Sequence, residues 1–422
     1  MRSRRWTAAV LGLSLLAAAC SSDDSSGPED DDEATDEAAE AADTAEAEGP
    51  DVAFPGAEWE TIDPVEAGFD PAKLEEIAAA AEADGSYCFL VVRHGRLVGE
   101  WYWGEETPTT PHEVFSATKS YASTLVGLAQ ADGLLDIDDK ASKYIPEWVG
   151  TESEDVTVRD LLSNDSGRHW DFQTDYQGLV GAADRTQFGI DLGQDAPPDT
   201  VWAYNNSAIQ TLDAVLDAVL DQTPAEYAEE RIFEPLGMAD TDMTTDGAGN
   251  TNMFFGLQST CRDMARFGHL FLQEGRWGDE QVVPAEWVEE AVGAPSQELN
   301  AAYGLLWWLN RNGPQPNTVA ATDPNGGPSP DGQAVPGAPE DMYWAHGLGN
   351  QLISVDPGSG TVAVRLGTGN AGAAGQPGAF GRHAIARVVT EALVDTPPDA
   401  DAGPDPDDTG SATEDGGEAG TE

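Results

Sequence analysis

Positive charge is what this chain lacks most. Only 20 of its 422 residues are Lys or Arg, against 77 Asp and Glu, giving a formal net charge of −57. A surface of that sign repels phosphate backbones and anionic headgroups, which sets nucleic acid and anionic lipid aside as partners. It fits solubility, for instance in a salty habitat, better than a specific cationic partner. Cysteine is nearly absent, with three residues, too few for a fold stapled by a disulfide framework. The six histidines show no zinc-like spacing, and no internal repeat is visible. The apolar stretch from Ala8 to Leu16 is too short to span a membrane.

That stretch does have the layout of an export signal. Arg2, Arg4 and Arg5 precede it, and small residues and Cys20 follow it. The run Leu16-Ala17-Ala18-Ala19-Cys20 followed by Ser21-Ser22-Asp23 resembles a bacterial lipobox. The resemblance implies that residues 1–20 are a lipoprotein signal and that Cys20 becomes the acylated first residue of an exported protein held in the cell envelope by lipid alone. Ala17 stands where Leu is usual, so an ordinary signal peptide and a secreted product are the alternative. Residues 21–50 and 395–422 are acidic and poor in apolar residues, hence expected to be a disordered tether and tail. That leaves residues 51–394 as the folded body. With Cys20 assigned to lipid, Cys88 and Cys261 lie in exported folded segments and are expected to be joined; two separate buried thiols are the alternative.

Within the body, a helix is predicted from Pro71 to about Asp84, then strands Cys88–Val92 and Leu97–Trp103 around the turn Arg93-His94-Gly95-Arg96. Helical patterns dominate from Ser116 to about Val292. Strands return at Tyr303–Leu309, Met342–Ala345, Leu352–Val355 and Thr361–Gly367, and Phe380–Val394 closes as a helix. Helices at both ends with strands just inside them predict an α+β fold, one sheet assembled from both ends of the chain with a helical lobe, about 120–300, inserted between. The Pro- and Gly-rich stretch 311–341 interrupts the late strands as a long loop.

Three short patterns carry chemistry. In Phe115-Ser116-Ala117-Thr118-Lys119-Ser120 the spacing of three puts Ser116 and Lys119 on one helical face, where an amine reaches the hydroxyl whose proton must leave. In Tyr204-Asn205-Asn206, just before a helix, the phenol could accept that proton if Lys119 lowers its pKa, and Asn206 could bond the lysine and the substrate; a core tyrosine followed by a helix cap is the plainer reading. In Trp344-Ala345-His346-Gly347-Leu348-Gly349-Asn350-Gln351, small residues on a strand would let a carbonyl approach backbone N–H groups, an oxyanion hole, or would simply make a tight turn. Asp136, Asp138 and Asp139 lack the rest of a calcium loop and suit a solvated turn. The pairs Trp101 with Trp103 and Trp307 with Trp308 suit either a cleft or the core.

Together, and in this order, these patterns resemble the class C β-lactamase superfamily, which also holds D-alanyl-D-alanine peptidases, family VIII carboxylesterases and 6-aminohexanoate-dimer hydrolases. Further matches are Tyr144-Ile145-Pro146-Glu147, the run Val156 to Gly167, Pro235-Leu236-Gly237-Met238 and the run Gly256 to Gly268. The resemblance implies a β-lactamase-like, transpeptidase-like fold with Ser116 as nucleophile, Lys119 as its partner and Tyr204 as base, Asn206 at the substrate, and the Leu348 N–H paired with that of Ser116 as the oxyanion hole beside Gly347. It implies no metal and no organic cofactor. True β-lactamases carry Lys-Thr-Gly where this chain has Ala345-His346-Gly347, so the cation that receives a β-lactam carboxylate is missing unless His346 is protonated. Ser-Ala-Thr-Lys-Ser with the Gly347-Leu348-Gly349-Asn350-Gln351 ending is closer to the 6-aminohexanoate-dimer hydrolase and esterase branch. The expected activity is acyl-enzyme hydrolysis of a small ester or amide; a catalytically silent envelope lipoprotein that binds peptidoglycan or a protein is the alternative. Oligomeric state has no signature in this sequence.

Overall fold

The computed structural model describes residues 51–322, 329–368 and 379–394; the predicted signal, Cys20, the acidic tether and the tail lie outside them. Helix α1 (Pro71–Ala83) starts where Asp70 accepts from the Ala72 and Lys73 N–H groups with Pro71 in the first turn, and it buries Leu74, Ile77, Ala78 and Ala81 on one stripe. Strands β1 (Ser86–Arg93) and β2 (Arg96–Tyr102) form the predicted hairpin. Two long central helices follow, α2 (Thr118–Ala131) and α3 (Cys261–Leu272). The chain then returns through β3 (Trp308–Leu309), β4 (Tyr343–Gly347), β5 (Gln351–Asp356), β6 (Thr361–Gly367) and α4 (Arg382–Arg387).

The six strands make one antiparallel sheet in the order β2-β1-β6-β5-β4-β3. An early and a late strand therefore meet inside it, as β1 pairs with β6 from Ser86 opposite Gly367 to Arg93 opposite Thr361. Alternation sends Leu90, Val92, Val362 and Val364 into the large core shared with α2 and α3, and Phe89, Val91 and Ala363 into a second core under α1 and α4. The lobe between β2 and β3 is built of short helices with strong starts; Thr157 with Asp160 and Thr223 with Glu226 each form a capping box. Among the described residues no helix is long and apolar enough to cross a membrane.

Two features depart from the sequence expectation. The predicted strand Tyr303–Leu309 is mostly a turn, because Leu306 sits at φ +59°, which no strand residue adopts, and only Trp308–Leu309 pairs with β4. A small unpredicted sheet joins His112–Glu113, Asp242–Met243 and Leu257–Ser259, strands too short for periodicity to show. The aspartates of the 136–139 turn are engaged as in a solvated turn, Asp138 with Arg159 and Asp139 with Lys143.

Cys88 of β1 and Cys261 at the start of α3 are joined, with their Cα atoms 6.3 Å apart and a sequence separation of 173. Closing so long a loop removes much denatured-state entropy, on the order of 5 kcal/mol in the chain-entropy account. The double variant Cys88→Ala/Cys261→Ala is therefore expected to lose several kcal/mol in urea unfolding. An unchanged midpoint, or two alkylatable thiols in the native exported protein, would contradict this.

Candidate active site

The approach to Ser116 is strained and braced. Phe115 holds φ +48°, unfavourable for a residue with a Cβ by about 1–3 kcal/mol. Its N–H donates to Glu113 Oε1 at 2.9 Å, and the same carboxylate accepts from the Gly256 N–H at 2.8 Å and Gln258 Nε2 at 2.7 Å. Thr118 Oγ1 donates to the Phe115 carbonyl at 2.6 Å and accepts from the Leu257 N–H at 3.2 Å. Ser116 thus sits in a single tight turn, Phe115–Ala117, tied to segment 256–258 and leading directly into α2, where every residue from Thr118 to Ala129 is buried.

That burial defines Lys119. The side chain is 1 % exposed, and Nζ donates to Ser116 Oγ at 2.8 Å and to the Phe254 carbonyl at 2.9 Å. It lies 4.7 Å from the centre of the Tyr204 ring and meets no carboxylate directly among the described residues. Burial pushes the ammonium down to about 7, against the opposing field of Asp175. Tyr204 is buried too, and desolvation holds its phenol well above the usual tyrosine range, a hydrogen bond with Ser116 offsetting part of the rise. Of the two, Lys119 is the group able to lose its proton near neutrality.

Asn206 is placed differently from the expectation. Asp175, fully buried, takes the Asn206 N–H at 3.1 Å and its Nδ2 at 2.7 Å, and the Ser207 N–H at 2.8 Å and Oγ at 2.9 Å. The amide is turned with its Nδ2 on the buried carboxylate, and Lys119 Nζ donates to the Phe254 carbonyl and not to Asn206 Oδ1. Asn206 still lines the cleft.

On the far wall, β4 brings its glycine against the nucleophile turn: a Cβ on Gly347 would lie 2.0 Å from the Val114 carbonyl oxygen and 3.1 Å from the Ser116 nitrogen. Only glycine allows that approach. The loop beyond it is locked by Arg365, fully buried, which donates to the Gly349 and Asn350 carbonyls and to Ser86 Oγ and pairs with Asp84. Ala345 is enclosed in the large core, so the residue of this motif that meets the cleft is His346. Its Nε2 is 3.1 Å from Asn350 Oδ1, and burial together with the nearby Arg382 guanidinium pushes the imidazole down to about 3. His346 is neutral at pH 7 and supplies no cation.

Ser116, Tyr204, Asn206, His346, Gly347 and Leu348 all line one cavity of about 420 Å³. Its remaining wall is apolar, including Phe254, Phe255 and Trp308, and no Asp, Glu, Lys or Arg side chain lines it among the described residues. The chain matches the Beta-lactamase family over residues 74–387, most of its length. It belongs to that family. It is 23% identical over 269 residues to the 6-aminohexanoate-dimer hydrolase of Paenarthrobacter ureafaciens, covering 57% of this chain and 68% of that protein. Penicillin-binding protein 4 of Amycolatopsis lactamdurans is 30% identical over 152 residues, 34% of this chain and 40% of that one. The octameric penicillin-binding protein homologue from Pyrococcus abyssi superposes with a TM-score of 0.55 at 18% identity, over 75% of this chain and 76% of that chain.

For this member of the β-lactamase family the structure adds residues that sequence reasoning missed. Glu113 and Asp175 act through tertiary contacts, and nothing in their neighbours marks them. Trp308 does line the cleft, whereas Trp307 is enclosed in the core and Trp101 and Trp103 pack against the second core. Thr318 brings the long 311–341 loop into the wall. Elsewhere Asp160, Asp165 and Asp199 place carboxylate oxygens within 4.8 Å of one another; the chemistry considered below makes no use of them.

Proposed function

We propose that this chain is a serine hydrolase that cleaves esters or linear amides through an acyl-enzyme on Ser116, and that β-lactams are poor substrates. The observation that carries this reading is Lys119 Nζ, buried and 2.8 Å from Ser116 Oγ. Neutral Lys119 takes the Ser116 proton, directly or by way of Tyr204, as Oγ bonds to the substrate carbonyl carbon. The oxyanion is received by the N–H groups of Ser116 and Leu348, and the proton passes to the departing alkoxide or amine. Water then repeats the sequence on the acyl-enzyme, releasing the acid and restoring Ser116. No step calls on a metal or an organic cofactor. Export, with a lipid on Cys20 as the membrane link, belongs to the same proposal, and the joined Cys88 and Cys261 support an oxidising compartment.

Penicillins and cephalosporins carry a carboxylate. Here it would meet a neutral His346, a cavity wall without cations among the described residues and the field of a chain at −57. Neutral esters meet none of these obstacles. The kcat/KM for p-nitrophenyl butyrate is accordingly expected to exceed that for nitrocefin, with a fluorophosphonate labelling Ser116. A higher value for nitrocefin would replace this reading with a β-lactamase, and an unlabelled, inactive wild type would favour a binding lipoprotein.

A further inference from the structure

The helical segment from Phe172 to Gly181 has two unlike sides. Asp175 and Leu179, four apart, are both fully buried, the first clamped on Asn206 and Ser207. Phe172, Tyr176 and Val180, also four apart, form a second stripe. Tyr176 and Val180 line the catalytic cavity, and Phe172 stacks on Tyr176 with ring centres 4.8 Å apart. Phe172 is 51% exposed and Val180 44%. Across the opening, Leu348 lines the cavity and is 49% exposed. Eight large apolar side chains are exposed among the described residues, and four of them, Phe172, Val180, Leu348 and Val319 (next to Thr318), line this cavity or adjoin residues that do. Such concentration at one opening marks a contact surface, and its continuity with the cavity indicates that the same molecule fills both.

We infer that Phe172, Tyr176, Val180 and Leu348 form a lip for the extended, uncharged acyl chain of the substrate, making medium-length and longer acyl esters the preferred class. This rests on the acyl-enzyme reading. The acyl part is the fitting occupant because it stays bonded to Ser116 through both half-reactions, so contacts with it act on each. The buried Asp175 clamp keeps the stripe turned toward the opening, and a lining without charged side chains among the described residues offers no partner there for a terminal carboxylate or ammonium.

The test uses the full chain with p-nitrophenyl acetate, butyrate and octanoate below their solubility limits. Full burial of a methylene is worth about fourfold, so a half-open lip should give about twofold in kcat/KM per methylene from butyrate to octanoate. Phe172→Ser and Val180→Ser together should lower the octanoate/butyrate ratio about fivefold, in protein whose thermal transition shows that it is folded. A wild-type rate that falls from butyrate to octanoate, a ratio that the substitutions leave unchanged, or no ester turnover while a fluorophosphonate still labels Ser116, each overturns the lip. No turnover of any ester with Ser116 unlabelled would instead defeat the acyl-enzyme reading on which it rests.

Discussion

Ser116→Ala is expected to lower ester turnover by on the order of 10⁴–10⁶ in kcat and to abolish covalent labelling by a fluorophosphonate. Oγ faces the cavity within hydrogen-bond reach of a buried amine, at 2.8 Å from Lys119 Nζ. Without it the backbone N–H groups proposed as oxyanion donors would still bind a carbonyl, which is why a small residual rate is compatible with the mechanism. The fold should be indifferent, since Lys119 keeps its bond to the Phe254 carbonyl and the turn keeps its Glu113 brace. Retention of more than about a hundredth of the wild-type rate would mean that another group attacks.

Lys119→Met should cost about 10²–10⁴ in acylation, the range for loss of a positioned base. Its signature is in the pH profile. With the ammonium pushed to about 7, the free-amine fraction grows as pH rises through that value, so kcat/KM for a neutral ester should climb over the same interval and then level. The methionine variant should lack that limb. Tyr204→Phe should keep the limb while losing rate, because its phenol titrates far above this range and serves as a relay. Met fills the same buried volume with no group to desolvate, so loss of activity with an unchanged melting temperature separates chemistry from unfolding. A limb that survives in Lys119→Met with its midpoint unmoved would place the base elsewhere.

Residues that must be of one chemical type in a fixed local spacing were legible in the sequence. Ser116, Lys119, Tyr204 and the glycine of β4 fall in this class, and the structure brings them to one cavity. The hairpin, the helices and the meeting of the chain ends in one sheet followed from periodicity. What periodicity misjudged was Tyr303–Leu309, an aromatic and aliphatic run with strand composition whose conformation is set by packing against the lobe, with Leu306 forced to positive φ. Asn206 was placed in the cleft correctly but given the wrong neighbour, because its partner Asp175 lies 31 residues earlier in a segment without a motif. Glu113 stands only three residues before the nucleophile, yet its work depends on Gly256 and Gln258 across the fold. Contacts of that separation leave no local trace in a single sequence.

The pairing of Ser86–Arg93 with Thr361–Gly367 has a consequence for how the molecule comes into being. The sheet interior joins segments some 270 residues apart, so a chain emerging from the ribosome or a translocation channel cannot complete it until nearly the whole body has been delivered. Until then β1, apolar along most of its length, has β2 on one edge but lacks its β6 partner on the other. The Gly347 wall of the cleft arrives in the same late portion, so hydrolytic competence should appear only after synthesis is essentially complete. The high density of negative charge then acts on the kinetics of maturation, keeping half-made chains apart during the interval when their strand edges are open.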